Sequence, residues 1–321
     1  MSARYLAARL LQIVPSCAAV VVVAFLLIQL APGDPVLALA GEHGDPAYYA
    51  FMRQRFGLDQ PLPRQLATYC IRVASLDFGV SYVQGRPAAE MIAERVPATL
   101  VLTTTALLLS LLVAIPLGIL AGRRPHGAAD FAVSALTVAF QSTPSFLLAH
   151  LAILGLALGL GLFPVQGMTT AGSPGSGLKH FVDIAYHLIL PALVLASQEV
   201  AVLARLTRTG LVSELDSDHV RTARAKGLVE RVVLWRHAMP QVLLSLVTVI
   251  GARAGHLLAG AAVVEIVFGW PGLGRLMLTG LQTRDTPVLL GVFFVISLAV
   301  IFANLLTDLL YAALDPRVRY R

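Results

Sequence analysis

The sequence predicts an all-α, polytopic integral membrane protein with six transmembrane helices, and three observations predict it. Of 321 residues 57% are apolar and only 13% charged, and the mean hydropathy of +0.78 lies outside the range of soluble globular chains. Six apolar stretches, roughly 9–31, 98–121, 131–160, 184–205, 241–267 and 287–312, interrupt the polar sequence. At 1.5 Å per residue, about twenty helical residues cross a roughly 30 Å hydrocarbon layer. The alternating ten-residue segments of a membrane barrel do not occur, and helices pair every backbone amide internally.

The first stretch follows Arg4 and Arg9 and precedes "ALA" at 38–40, the outline of a cleavable signal peptide. Its apolar run of about twenty-two residues is longer than the roughly 7–15 of such peptides. Pro32, Asp34 and Pro35 also intervene, so residues 1–31 are expected to be a cytoplasmic tail and a retained first span. Residues 32–97 form the one long polar insertion. It opens with the turn-rich "APGDP" and continues as two or three short amphipathic helices, with Phe51, Phe56, Leu66, Tyr69 and Ile71 as their apolar side. Residues 98–321 supply the remaining five spans.

The second and third spans contain no Asp, Glu, Lys or Arg. Pro144, in "FQSTPSFLLAH", removes an interior hydrogen bond from the third. A bend for packing and a hinge lining a pathway both remain open, and Pro116 and Pro191 admit the same two readings. Ser142, Thr143 and Ser145 are placed to satisfy the freed carbonyls. The connection 161–183, with "GMTTAGSPGSG", reads as flexible. No full-length internal repeat is visible, which weighs against an inverted-repeat secondary transporter driven by ions.

The net charge of +6 is a topology signal rather than a nucleic-acid footprint. Six spans put both termini and the loops 122–130 and 206–240 on one side. That side carries fourteen of the 24 Lys and Arg, nine lie on the other over a longer stretch, and Arg253 falls within a span. Short basic loops face the cytoplasm, so the termini are cytoplasmic and 32–97 is external. Cys17 and Cys70 suggest neither a disulfide framework nor a metal cluster.

The stretch 211–240, "LVSELDSDHVRTARAKGLVERVVLWRHAMP", concentrates positive charge between two apolar spans. It reads as helix, break, helix, with N-caps at Ser213 and Ser217, a break at Gly227 and a second helix entering span five at Pro240. Attraction to anionic lipid, about 1 kcal/mol per basic residue, is the plain explanation. The spacing carries more. Thr222 and Ala223, then Gly227 after three residues, and His237, Met239 and Pro240 after nine more resemble the "EAA" loop of permeases of ATP-binding-cassette importers. Arg221 stands at the Glu position of that pattern. "VRTARAKGL" looks like the peptide and nickel branch, as do "RYLAARLLQIVP…APGDP", "GLDQPL", "LDFGVS", "PATL", "FGWPGLGR" and "LLYAALDPRVRY", in that order along nearly the whole chain.

The resemblance implies a type I importer permease fold in a bacterial inner membrane. It implies a second homologous permease, two cytoplasmic ATPase subunits and an external substrate-binding protein as partners. Val220, Arg221, Thr222, Ala223, Arg224, Ala225, Lys226, Gly227 and Leu228 would form the coupling helix that docks on an ATPase. The cargo implied is a di- or oligopeptide, with nickel or a metal chelate as the alternative from the same branch. The chain itself is expected to be no enzyme. Its two lysines, Lys179 before His180 and Lys226 before Gly227, make no phosphate-binding loop, so ATP and Mg belong to the partner subunits. Intramembrane Asp-Asp, His-Glu-x-x-His and Gly-x-Ser-x-Gly patterns do not occur either.

Ionisable groups within spans are costly and therefore candidates for function. Arg253 and His256 share a face of span five, with Glu265 beyond them; Gln198 and Glu199 lie on span four, and Asn304 and Asp308 on span six. Two readings stay open: structural pairing, such as Arg253 with Glu199, or lining of a translocation cavity by Gln198, Arg253 and His256. The eight histidines include no tight ligand pair and do not decide between peptide and metal. Phe268, Trp270, Pro271, Gly272 and Gly274 of "FGWPGLG" are candidates for a periplasmic gate or receptor contact, or for a plain turn.

Overall fold

The computed structural model describes residues 3–30, 45–172 and 175–314. The "APGDP" motif, the "ALA" at 38–40 and the terminal arginines 317, 319 and 321 lie outside the described residues. In chain order the helices are α1 (Ala3–Leu30), α2 (Pro46–Phe56), α3 (Leu62–Ala74), α4 (Ala88–Gly122), α5 (Ala128–Ser142), α6 (Ser145–Gly159), α7 (Leu178–Leu215), α8 (Asp218–Ala225), α9 (Glu230–Ala252), α10 (Ala254–Val267), α11 (Leu273–Thr283) and α12 (Thr286–Leu314). The only extended pairing among the described residues is an isolated antiparallel bridge between Val80 and Pro87.

Four of these helices, Ala88–Gly122, Leu178–Leu215, Glu230–Ala252 and Thr286–Leu310, are singly long and apolar enough to cross a bilayer. The expected third span is instead two helices, α5 and α6, meeting at 102° where Pro144 breaks the ladder. Pro116 and Pro191, by contrast, sit inside helices that continue through them. The described apolar part of α1, Leu11–Leu27, is shorter, and the expected fifth span is interrupted at Arg253.

The described chain forms two compact units, one of residues 100–270 and 303–314, the other of 3–30, 45–99 and 271–302. In the first, α7 is the central helix. Two-thirds (67%) of its apolar window is buried, against 28–33% for the other single spans. Small residues bring neighbours close to it: a Cβ at Gly118 would collide with Thr207 and lie 2.7 Å from the Ala204 carbonyl oxygen. Gly251 of α9 likewise lies where a Cβ would run into Thr307 of α12. The connection 161–172 is pinned rather than free. Thr170 donates through N and Oγ1 to Asp183, each at 2.8 Å, Tyr186 Oη donates to the Leu162 carbonyl, and Gly167 N to that of Phe268.

The second unit has its own core, in which Val21 and Phe25 of α1 meet Tyr69 and Val73 of α3 together with Phe78, Ile92, Leu276 and Val292. Here α2 forms as its sequence dictates, with Asp45 capping Ala47 N, Pro46 in the first turn and Gly57 closing at φ +67. The apolar side of α2 and α3 differs from expectation. Tyr69 is buried, but Phe51 and Ile71 are exposed, while Met52 and Val73 point inward. The Phe56 side chain lies outside the described residues.

Candidate functional site

The basic segment folds as expected in outline and differs in its details. Helix α7 runs on to Leu215, so Ser213 is interior to it and caps nothing. Ser217 occupies the N-cap position of α8, but its Oγ donates to the Glu214 carbonyl (2.6 Å) and meets His219 Nδ1 (3.0 Å) instead of capping the helix. Gly227 does more than weaken a helix. It closes α8 at φ +78, with Gly227 N donating to the Arg224 carbonyl and Leu228 N to that of Ala223. That pair of bonds is a left-handed C-terminal cap, for which glycine alone has no steric cost.

Burial divides the nine coupling candidates. Val220 (0% exposed) and Ala223 (4%) face inward, into a cluster with Leu211, Val233, Leu234, Ala238, Met239 and Val242. They anchor α8 against the chain's own core. Arg221, Thr222, Arg224, Ala225, Lys226, Gly227 and Leu228 remain exposed. Arg224 is committed within the chain: its Nη2 and Nε donate to Glu230 at 2.8 and 3.3 Å, and its Nη1 to the Leu215 carbonyl. The Glu230 hydrogen bond raises the Arg224 guanidinium above its ordinary pKa. Arg221 lies 3.7 Å from the exposed Asp218 on the same helix, and Lys226, just past the end of α8, is exposed as well.

Inside the first unit, Arg253 and Glu199 form a two-pronged ion pair, Nε to Oε2 at 2.7 Å and Nη2 to Oε1 at 3.0 Å. Arg253 is also the junction between α9 and α10, where the helical ladder is interrupted. His256, on the same face, is exposed. Gln198 has a distinct task. Its Nε2 donates to the carbonyls of Phe140 (2.9 Å) and Thr143 (3.0 Å). The first is the acceptor that Pro144, lacking an N–H, cannot use. Among the described residues, the expected local donors contribute Thr143 Oγ1, which reaches the Ala139 carbonyl; the bend is latched from α7.

Within "FGWPGLG", Phe268 and Trp270 are fully buried, with Trp270 N bonded to the Glu265 carbonyl and Gly269 at φ +62. Gly272 and Gly274 are buried as well, and Gly272 precedes α11, whose Leu273 N donates to Thr99 Oγ1. Phe268, Trp270, Gly272 and Gly274 are thus enclosed within the chain, and Pro271 is half-buried.

Sequence reasoning missed one further pair. Asp130 of α5 accepts from Arg208 of α7 at 2.9 and 2.7 Å and from His126 N at 2.9 Å. The signal available was an acid in the first turn of α5 and an unmatched Arg near the end of α7.

Residues 114–320 match the family model "Binding-protein-dependent transport system inner membrane component", and residues 2–103 match its N-terminal counterpart. The chain is 38% identical over 317 residues to the glutathione transport system permease protein GsiC of Escherichia coli (strain K12), covering 99% of each. It is 34% identical over 319 residues to the oligopeptide transport system permease protein AppB of Bacillus subtilis (strain 168), covering 99% of this chain and 100% of AppB. A solved structure of the MetNI methionine ABC transporter superposes with a TM-score of 0.57 at 19% identity, over 70% of this chain and 96% of that one.

Proposed function

This chain belongs to the inner membrane components of binding-protein-dependent transport systems, and from that premise we propose that it carries short peptides inward as one half of a permease pair. It is a permease subunit of an ATP-driven importer, a translocation component rather than an enzyme. A second, related permease completes the pathway, two ATPase subunits holding ATP and Mg bind on the cytoplasmic side, and an external binding protein delivers cargo. Both termini face the cytoplasm in this reading, which the distribution of basic residues supports. The relatives that transport glutathione and oligopeptides support a peptide-like cargo over nickel.

The observation that carries the mechanism is the two-sidedness of α8, anchored by Val220 and Ala223 and presenting Arg221, Thr222 and Ala225 outward, with Lys226 and Leu228 exposed in the turn that follows. A helix held this way moves only with α7 and α9. An ATPase that binds one position of α8 more tightly than another therefore biases the whole unit between two states. In this reading the Arg253–Glu199 pair and the Gln198 latch preserve the shapes of α9 and α5–α6 during that movement. The test is uptake of labelled tripeptide into proteoliposomes holding all four kinds of subunit. Uptake should require ATP and the binding protein. Accumulation by this chain alone under an ion gradient, or cross-linking of residue 221 to an external reagent, would overturn the reading.

A further inference from the structure

The second unit contains an open cleft of about 640 Å³, within the roughly 300–1,000 Å³ typical of small-ligand sites. One face of α3 lines it: Arg64, Thr68 and Arg72 follow one another at four-residue intervals, with Gln65 and Tyr69 beside them. Neither guanidinium has a carboxylate within ion-pair distance among the described residues. Eight residues of helix set the two arginines about 12 Å apart along α3. Tyr69 is nine-tenths buried, and its hydroxyl has no hydrogen-bond partner among the described residues. A buried hydroxyl without a partner is costly and marks a place for an incoming polar group. Asp77 also lines the cleft, with Oδ1 accepting from Gly79 N at 2.9 Å.

We propose that this cleft binds a short peptide carrying two carboxylates, one held by Arg64 and the other by Arg72. Three extended residues span about 10 Å, which matches the separation of the arginines. Arginine engages carboxylate through two parallel N–H donors. Asp77 suits the peptide's ammonium group and Tyr69 faces its amides, while Gln65 is taken up within the chain, its Nε2 donating to the Leu58 and Gln60 carbonyls and its Oε1 accepting from Gln29. Tyr82, another lining residue, stays a neutral donor, since burial and the Asp285 carboxylate push its phenol up to about 12 against the opposing Arg72. The inference rests on the peptide-import reading and narrows its cargo to acidic peptides.

The assembled complex, without the binding protein, is placed in nanodiscs and titrated with Glu-Ala-Ala, Gln-Ala-Ala and the amide of Glu-Ala-Ala. Glu-Ala-Ala should bind tightest, with loss of either carboxylate weakening it about tenfold, the scale of a charge-assisted pair. Arg64→Gln and Arg72→Gln should each weaken Glu-Ala-Ala by a similar factor, with Arg72→Lys in between. Equal affinity for the three peptides, or unchanged affinity in both Gln variants, overturns the site. Uptake of Ala-Ala-Ala by the complete system separates the two readings. If Ala-Ala-Ala accumulates while the carboxylates make no difference to binding, transport stands and the cleft falls; if no peptide accumulates, both fall.

Discussion

Substitution of Gly227 isolates the backbone requirement behind α8. The residue sits at φ +78, and a Cβ built there meets nothing within 4 Å. Crowding within the chain therefore contributes nothing, and the whole effect comes from holding an L-residue in a left-handed conformation, about 1–2 kcal/mol. That is a factor of about 5–30 in the ratio of closed to frayed helix end. Asn tolerates this region, so Gly227→Asn should lose least, Gly227→Ala should fall in the stated range, and the β-branched Gly227→Val should lose most. The assay is substrate-stimulated ATPase activity and peptide uptake in proteoliposomes, with membrane insertion and complex yield as controls. Coupling should decline in the order Gly, Asn, Ala, Val while insertion stays constant. If Asn is as damaging as Val, side-chain bulk rather than φ governs the site; if Val couples normally, the turn has no part in transmission.

Three further outcomes follow from the interior of the first unit. Glu199→Ala leaves Arg253 unpaired and should lower stability of the purified complex by about 2 kcal/mol, below the 3–5 of a fully buried pair because Arg253 keeps a quarter of its side chain exposed; a Glu199→Leu, Arg253→Met double variant should recover most of that loss in a thermal melt. Gln198→Leu strands the Phe140 and Thr143 carbonyls at about 1–3 kcal/mol, and Gln198→Glu, which when protonated can donate to only one of them, should recover at most part of that loss. A melting temperature for Gln198→Glu equal to that of the unaltered protein would dismiss the latch. Gly118→Ala should cost about 1–3 kcal/mol through overpacking against α7, and Thr207→Ala should fail to rescue it because the Ala204 carbonyl is backbone.

Much of this architecture is legible in the order of residues, and its failures have physical causes. Apolar length and the basic bias of 206–240 locate the helices, and the Thr222–Ala223–Gly227 spacing locates α8, because these depend on local composition and turn chemistry. The partner of Pro144 was not legible: the donor that replaces its missing bond is Gln198, more than fifty residues away, and proximity in sequence favours Ser and Thr neighbours that the geometry does not use. The Asp130–Arg208 bridge escaped for the same reason, being formed by residues 78 apart. Tertiary packing likewise decides which of Phe51, Met52, Tyr69 and Ile71 turn inward, where periodicity offers only a stripe. Among the sites, Arg253 meets Glu199 in a two-pronged pair, a side-chain geometry that no spacing encodes.

The cluster beneath α8 has a mechanical consequence. Val220, Val233, Ala238 and Met239 are each wholly enclosed, and enclosed aliphatic matter yields little under load. A tug of a few ångströms at Arg221 or Lys226 has no cushion in which to dissipate before it reaches α7 and α9. Trimming any one of those four side chains should therefore act like slack in a linkage, with fuel still being burned on one side of the membrane and little arriving on the other.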